Sequence, residues 1–377
     1  MTDSNQPEQL EDDNKTIKLA APNLKAASAS LFSKIFDYFR PKIWKSHNWK
    51  WRILVLVVML FIVNVVTMLY WSVEPRSFDV KAASREYLPA NVEPVVGSAT
   101  VGTSVKTLDI LLHKKGGFIK NDVAPPGVFL DNISNWEYGV LELMRHTTLT
   151  FANDFSRSQS QSSRPKILSD ADNSLRIDSA KWILPAPEDN YEQARQNLIE
   201  YGKQIADKNA NSAKFYARAD NLVSYLELIS KQLGDITQQL SASVGDTVMA
   251  AQVQSVEEAN AEENANKSAK LFAERKRTPY WQIDNNFYFA RGYSWALLQE
   301  LRAIRIDFEK ILRQKEALAS LDQIIFELEK TQKPIWSPMI LNGSGFGFMT
   351  NHSLIMASYI SRANAAIIEL KNLLSNG

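Results

Sequence analysis

The sequence predicts an all-α protein in which a single N-terminal transmembrane helix is followed by an elongated antiparallel helical-bundle ectodomain. Three observations predict it. The run from Ile53 to Trp71 carries no charge, no Pro and no Gly. Most of the chain beyond it repeats apolar residues at alternating steps of three and four, the spacing of one helical face. No segment sustains a period of two between hairpin turns, as a sheet would require.

Residues 1–25 read as a disordered acidic tail, with Asp3, Glu8, Glu11, Asp12 and Asp13 and little to bury. Residues 26–52 form an amphipathic and basic cytoplasmic segment. In it Leu31, Phe32, Ile35, Phe36 and Phe39 share one helical face, suited either to the inner membrane interface or to a partner helix. Residues 53–73 are the span. At about 1.5 Å per residue its uncharged run covers roughly 28 Å, close to the ~30 Å hydrocarbon core, with Trp51 at one interface and Tyr70 and Trp71 at the other.

Arg40, Lys42, Lys45, Lys50 and Arg52 crowd the N-terminal flank against Asp37 alone. On the far flank Arg76, Lys81 and Arg85 are interleaved with Glu74, Asp79 and Glu86. The bias places Met1 in the cytoplasm and residues 74–377 across the membrane. A cleaved signal peptide would need a shorter apolar core nearer the start, so the span reads as an uncleaved anchor. Asn64 is its one strongly polar side chain. It could bond across a helix dimer for about 1 kcal/mol, or find water or its own backbone.

Composition fits an anchor with a folded body. A net charge of +1 argues against a nucleic-acid binder, which would need a net basic field to neutralise phosphates. The 45% of apolar residues suffices for a core. With no cysteine there is no disulfide, thiol catalysis or thiolate metal site.

The helices follow in order. Val101, Val105, Leu108 and Leu112 form a stripe closed by Lys114, Lys115 and the Gly116–Gly117 pair. Leu141, Met144, Thr148, Phe151 and Phe155 form a second, entered through a polar turn DNISN, and Tyr191, Ala194, Leu198, Tyr201 and Ile205 a third. A fourth runs through Phe215, Ala219, Leu222, Leu226, Ile229, Leu233, Ile236 and Leu240. Between Pro279 and Pro334 the stripe from Phe287 to Ile311 resumes at Leu318, Leu321, Ile325 and Leu328 after a missed beat near Gln314 and Lys315. One straight helix there would be on the order of 70 Å long; a kink at the missed beat is the alternative. Met356, Tyr359, Ala363, Ala366, Leu370 and Leu373 complete the set.

Three connectors interrupt the bundle. Ser156–Pro187 is polar apart from an anchor, Trp182-Ile183-Leu184. Residues 245–278 form a flexible linker, acidic and then basic, with few large apolar side chains. Lys333–Thr350, KPIWSPMILNGSGFGFMT, combines glycines with apolar residues and reads as an ordered loop before a helix that starts near Asn351.

Catalytic motifs are missing. The four histidines show neither HExxH nor ligand spacing, so no metal and no cofactor is expected. Asp170-Ala171-Asp172-Asn173 opens like a calcium loop, but Leu175 replaces its glycine and Lys181 its closing acid. The run from Gly343 to Gly347 is neither a nucleophile elbow nor a P-loop. No catalytic residue can therefore be named. The candidate binding residues are Trp336, Asn342, Gly343, Ser344, Gly345 and His352, because free amides before a helix can hold an anion; the alternative is a tight structural turn.

LLHKKGGFIKNDVAPPGVFLDN, NWEYGVLELMR, DFSRSQSQS, FYARADNL and WSPMILNGSGFGFMTNHSLIMASYISRANAAIIELKNLL resemble, in order, a family of Gram-negative bacterial membrane proteins catalogued as a domain of unknown function. The resemblance implies an inner-membrane protein with a periplasmic domain and carries no catalytic residues with it. The residues favour a non-catalytic envelope scaffold or accessory subunit of a membrane complex. The alternative is an enzyme or ligand-binding protein with a helix-walled pocket near residues 333–352. Expected partners are the lipid bilayer and a protein in the membrane or periplasm, with a homo-oligomer as a further possibility and no nucleic acid.

Overall fold

The computed structural model describes residues 48–89, 91–158, 163–184, 186–207, 213–243, 278–335, 340 and 351–376. The acidic tail, the stripe at 31–39, the linker up to residue 277 and the glycine-rich stretch 341–350 lie outside the described residues. Among the described residues every regular element is helical and there is no strand.

The chain divides into two units, Met1–Val63 and Asn64–Gly377. In the first, the described residues belong mainly to α1, Trp49–Trp71, none of whose residues is buried. It is the one described helix long and apolar enough to cross a membrane. It starts a turn before the uncharged run because Lys50 and Arg52 are good helix formers.

Among its described residues the second unit holds the end of α1 and ten further α-helices: α2 Val80–Glu86, α3 Ser98–His113, α4 Asp131–Thr150, α5 Lys166–Leu175, α6 Pro187–Ala206, α7 Ala219–Ala242, α8 Ile283–Asp307, α9 Glu309–Gln314, α10 Leu318–Thr331 and α11 His352–Asn376. α8 is the axis of the packing, with every residue from Ala290 to Leu301 buried. Such a helix has no solvent face, so its polar residues must find partners on its neighbours.

Those partners fix the directions. Glu300 with Ser104 and Asp307 with Thr100 set α3 antiparallel to α8. Gly292 against Trp136, and Phe308 against Phe155 beyond α4, set α4 parallel to it. Arg291 at the Thr331 carbonyl and Arg305 on Asp322 set α10 antiparallel. α6 runs antiparallel to α3, since the Tyr87 ring touches both Gly102 and Gly202 while Arg195 faces Asp109. α11 turns back along α10 through Arg362 on Glu327 and Tyr359 beside Lys330. One end of the bundle thus gathers the last turn of α1, the end of α3 and the starts of α4, α6, α8 and α11. The opposite end is closed by the rings of Phe151, Phe155, Phe215 and Phe308.

The sequence expectations fare unevenly. The stripes on α3, α4, α6 and α7 fall on buried faces, with Phe151 and Phe155 in a π-helical turn just after α4; Phe215, which precedes α7, Ala219 and Ile205 are half-buried. DNISN is the first turn of α4 rather than a turn before it. α2 is too short to show an apolar stripe in the sequence. The Pro279–Pro334 segment is not one helix: α8 ends at Asp307, short α9 follows, and Glu316 at φ 52 reverses the chain so that α10 packs on α8. The missed beat is where the chain folds back on itself. On α11 the buried ridge includes Ile360, Ile367 and Leu374, while Tyr359 and Leu373 are half-buried.

Ser156–Pro187 is not all connector. α5 lies in it, burying Leu168, Ala171 and Leu175 at helical spacing, with Asp172 and Arg176 paired one turn apart at 2.9 Å. The calcium-like DADN is therefore helical. Trp182-Ile183-Leu184 does not anchor the connector, since all three side chains are exposed.

Candidate functional site

Two adjoining clefts line the outer face of α3. Its inner face is committed to the core, which leaves Lys106, Asp109 and His113 to point outward. The larger cleft, about 460 Å³, is bounded by Val73, Glu74, Pro75 and Arg76 after α1 and by Asp109, Ile110, His113, Lys114 and Lys115 at the end of α3. The smaller, about 190 Å³, lies between α2, α3 and α6, with Glu86, Tyr87, Lys106, Asp109 and Arg195 among its walls. Asp109 borders both.

Two of the lining charges are spent on structure. Glu74 accepts from Arg291 at 2.7 Å, and that buried guanidinium also donates to the carbonyls of Thr331, Gln332 and Lys333. Lys114 is paired at 2.5 Å with Glu137, both side chains almost fully buried, and the same carboxylate accepts the amides of Ile119 and Lys120. This clamp holds the loop after α3 against α4.

Five groups remain to meet a ligand. Asp109 and His113, one helical turn apart, approach to 3.1 Å, and the imidazole is 60% exposed. Arg195 stands 3.8 Å from the same carboxylate and is held by Glu192, whose hydrogen bonds keep the arginine's pKa above its usual value. Arg76 and Lys115 are exposed at the rim, and neither has an ion-pair partner among the described residues, though Lys115 lies 4.7 Å from the Tyr70 ring centroid. The lining of the larger cleft contains no hydroxyl or thiol. The exposed Arg76 and Lys115 can hold an anionic group beside the Asp109–His113 pair. Among the described residues no three His, Cys, Asp or Glu side chains converge on a metal-sized site.

Of the residues singled out from sequence, Trp336, Asn342, Gly343, Ser344 and Gly345 lie outside the described residues. His352 opens α11, half-buried, its ring 6.4 Å from that of Phe287. The side-chain oxygen of Asn351 caps that helix by accepting the Leu354 amide at 3.0 Å. His352 lines neither cleft. Arg76, Asp109, His113 and Lys115 were not picked out as site residues; the i, i+4 spacing of Asp109 and His113 was the legible signal.

No match was found among curated proteins or among solved structures. Residues 44–377 match the family described as "Uncharacterized protein conserved in bacteria (DUF2333)". With nearly the whole chain from the base of α1 to its last residue inside that match, the protein belongs to this bacterial family.

Proposed function

We propose that this is a single-pass protein of the bacterial inner membrane whose body stands in the periplasm as a non-catalytic scaffold or accessory subunit of a membrane complex. The Arg291 clamp carries the reading. Its guanidinium joins Glu74, just beyond α1, to the end of α10 while itself sitting in α8. Losing either partner would strand the buried guanidinium without its counter-charge, so the segment just beyond α1 is fastened within the body. A firm attachment for the segment that follows the span suits a protein that holds partners at a set place. The basic flank ending at Arg52 supports a cytoplasmic N-terminus. The expected partner is a membrane or periplasmic protein, with self-association as the other arrangement.

The test joins topology to partnership. A reporter active only in the periplasm, fused after Gly377, should give signal; silence there with activity from a cytoplasmic reporter would sink the orientation. Cross-linking and purification in detergent should then recover a stoichiometric partner or an oligomer. The cleft gives the ligand-binding alternative its place. If Asp109→Asn or His113→Ala abolishes complementation while the protein folds and inserts normally, the scaffold reading falls.

A further inference from the structure

The end of the bundle where α1 joins it exposes apolar side chains that the core does not use. Trp182, Ile183 and Leu184 are 61%, 56% and 81% exposed, and Val123, Val128 and Phe129 stand out from the loop before α4. Asn121 donates to the Lys181 carbonyl at 3.3 Å and to Glu188 at 2.9 Å, tying the two loops together. Trp281, 75% exposed, lies at the same end, just before α8. The other described tryptophans of the body, Trp136 and Trp295, are in the core, and the opposite end turns Phe151, Phe155 and Phe308 inward. Two exposed tryptophans on one end, beside aliphatic loops, is a distribution that water does not favour.

We infer that this face rests on the bilayer, its two apolar loops seated at the level of the lipid headgroups on the side where α1 emerges. The inference rests on the membrane-anchoring reading above. Its height follows from contacts within one unit. Met68 and Trp71, in the last turn of α1, pack against the core of the body. Gly116 lies flat against the Trp71 ring, and Lys115 reaches Tyr70. The loop after α3 is therefore level with the aromatic exit of the span, and its continuation through Asn121 carries the Val123–Phe129 and Trp182–Leu184 loops beside it. Aromatic rings with one apolar and one polar side favour that depth. Arg76 and Lys115, exposed on the same side, suit anionic headgroups. A protein partner is the competing occupant; lipid is favoured because the tether already holds the face at the bilayer surface.

The chain has no cysteine, so a single introduced thiol can be labelled uniquely. Full-length Leu184→Cys, Val128→Cys, Val96→Cys and Val66→Cys would each carry an environment-sensitive fluorophore in vesicles of phosphatidylethanolamine and phosphatidylglycerol. Spin-labelled lipid in both leaflets would be the quencher. Val66 lies in α1 and reports the anchor, whereas Val96 is exposed at the opposite end of the bundle. Quenching at Leu184 and Val128 several-fold above Val96, and comparable to Val66, is the expected result. If Val66 is quenched while Leu184 and Val128 match Val96, the face does not touch lipid and the anchoring reading survives. An unquenched Val66 overturns the anchor and this inference with it. Equal quenching at all four positions, Val96 included, also overturns it, because contact would not be particular to this end.

Discussion

Glu300 shows what a helix without a solvent face does to an acid. Its Oε1 accepts the Ser104 hydroxyl at 2.6 Å, while Oε2 has no hydrogen-bond partner among the described residues. Burial pushes its carboxyl up to about 8, against the pull of Ser104 and with help from Asp307. At neutral pH the group is held protonated. Asp307, one helix end away, is also raised by burial, but the Thr100 hydroxyl and amides in the first turn of α3 pull it back, and it caps that helix from outside. A folded-state pKa above the unfolded value means that the folded chain binds more protons, so stability is fully present below about 4.5 and is lost as pH rises toward about 8. Denaturant unfolding of the full chain in detergent should therefore show stability falling between those values. Glu300→Gln should remove a part of that slope on the order of a few kcal/mol, leaving what Asp307 and Glu137, both also raised by burial, contribute. An unchanged slope in the variant would mean that Glu300 is ionised in the folded protein.

Among the helices, the α4–α8 crossing is where backbone meets backbone. A Cβ on Gly139 would collide with the Phe289 carbonyl, and one on Gly292 with that of Trp136. Either glycine changed to Ala should cost about 1–3 kcal/mol, because the neighbour is main chain and cannot rotate away. Gly234, in the interior of α7 with nothing within 4 Å of its Cβ position, is the contrast. Gly234→Ala should stabilise the chain by about 0.5–1 kcal/mol. Matching effects at all three sites would remove the close-crossing argument. At this scale the sequence was most legible, since a stripe such as Leu222–Leu240 needs only one neighbour to be buried. It was least legible where long-range packing decides. α5 has few apolar residues and is recognisable only once α6 covers Leu168 and Leu175, and the α9 reversal depends on α10 finding α8. The larger cleft pairs residues 73–76 with 109–115, a juxtaposition with no local signature. Trp182–Leu184 misled in the other direction, because apolar composition announces an affinity without saying whether core, partner or lipid satisfies it.

For the whole molecule the consequential joint is between the end of α1 and the body. Gly116 and Gly117 both hold positive φ, 87° and 73°, so Ala at either pays a backbone cost on the order of 1 kcal/mol. Their surroundings differ. A Cβ at Gly116 would press into the Trp71 ring, whereas at Gly117 it meets only ordinary contact with the Leu112 carbonyl at 3.8 Å. Gly116→Ala should therefore be more destabilising than Gly117→Ala, and the excess should belong to the docking of the stem. Repeating both substitutions in a Trp71→Ala background separates the two contributions, since only the clash requires the indole. There the excess at Gly116 should shrink to what the 3.1 Å approach of its Cβ position to Ile119 Cδ1 leaves, read by denaturant unfolding of the full chain in detergent. If the excess at Gly116 is undiminished without the ring, the last turn of α1 is not seated on this loop, and the level assigned to the membrane-facing end loses its main support.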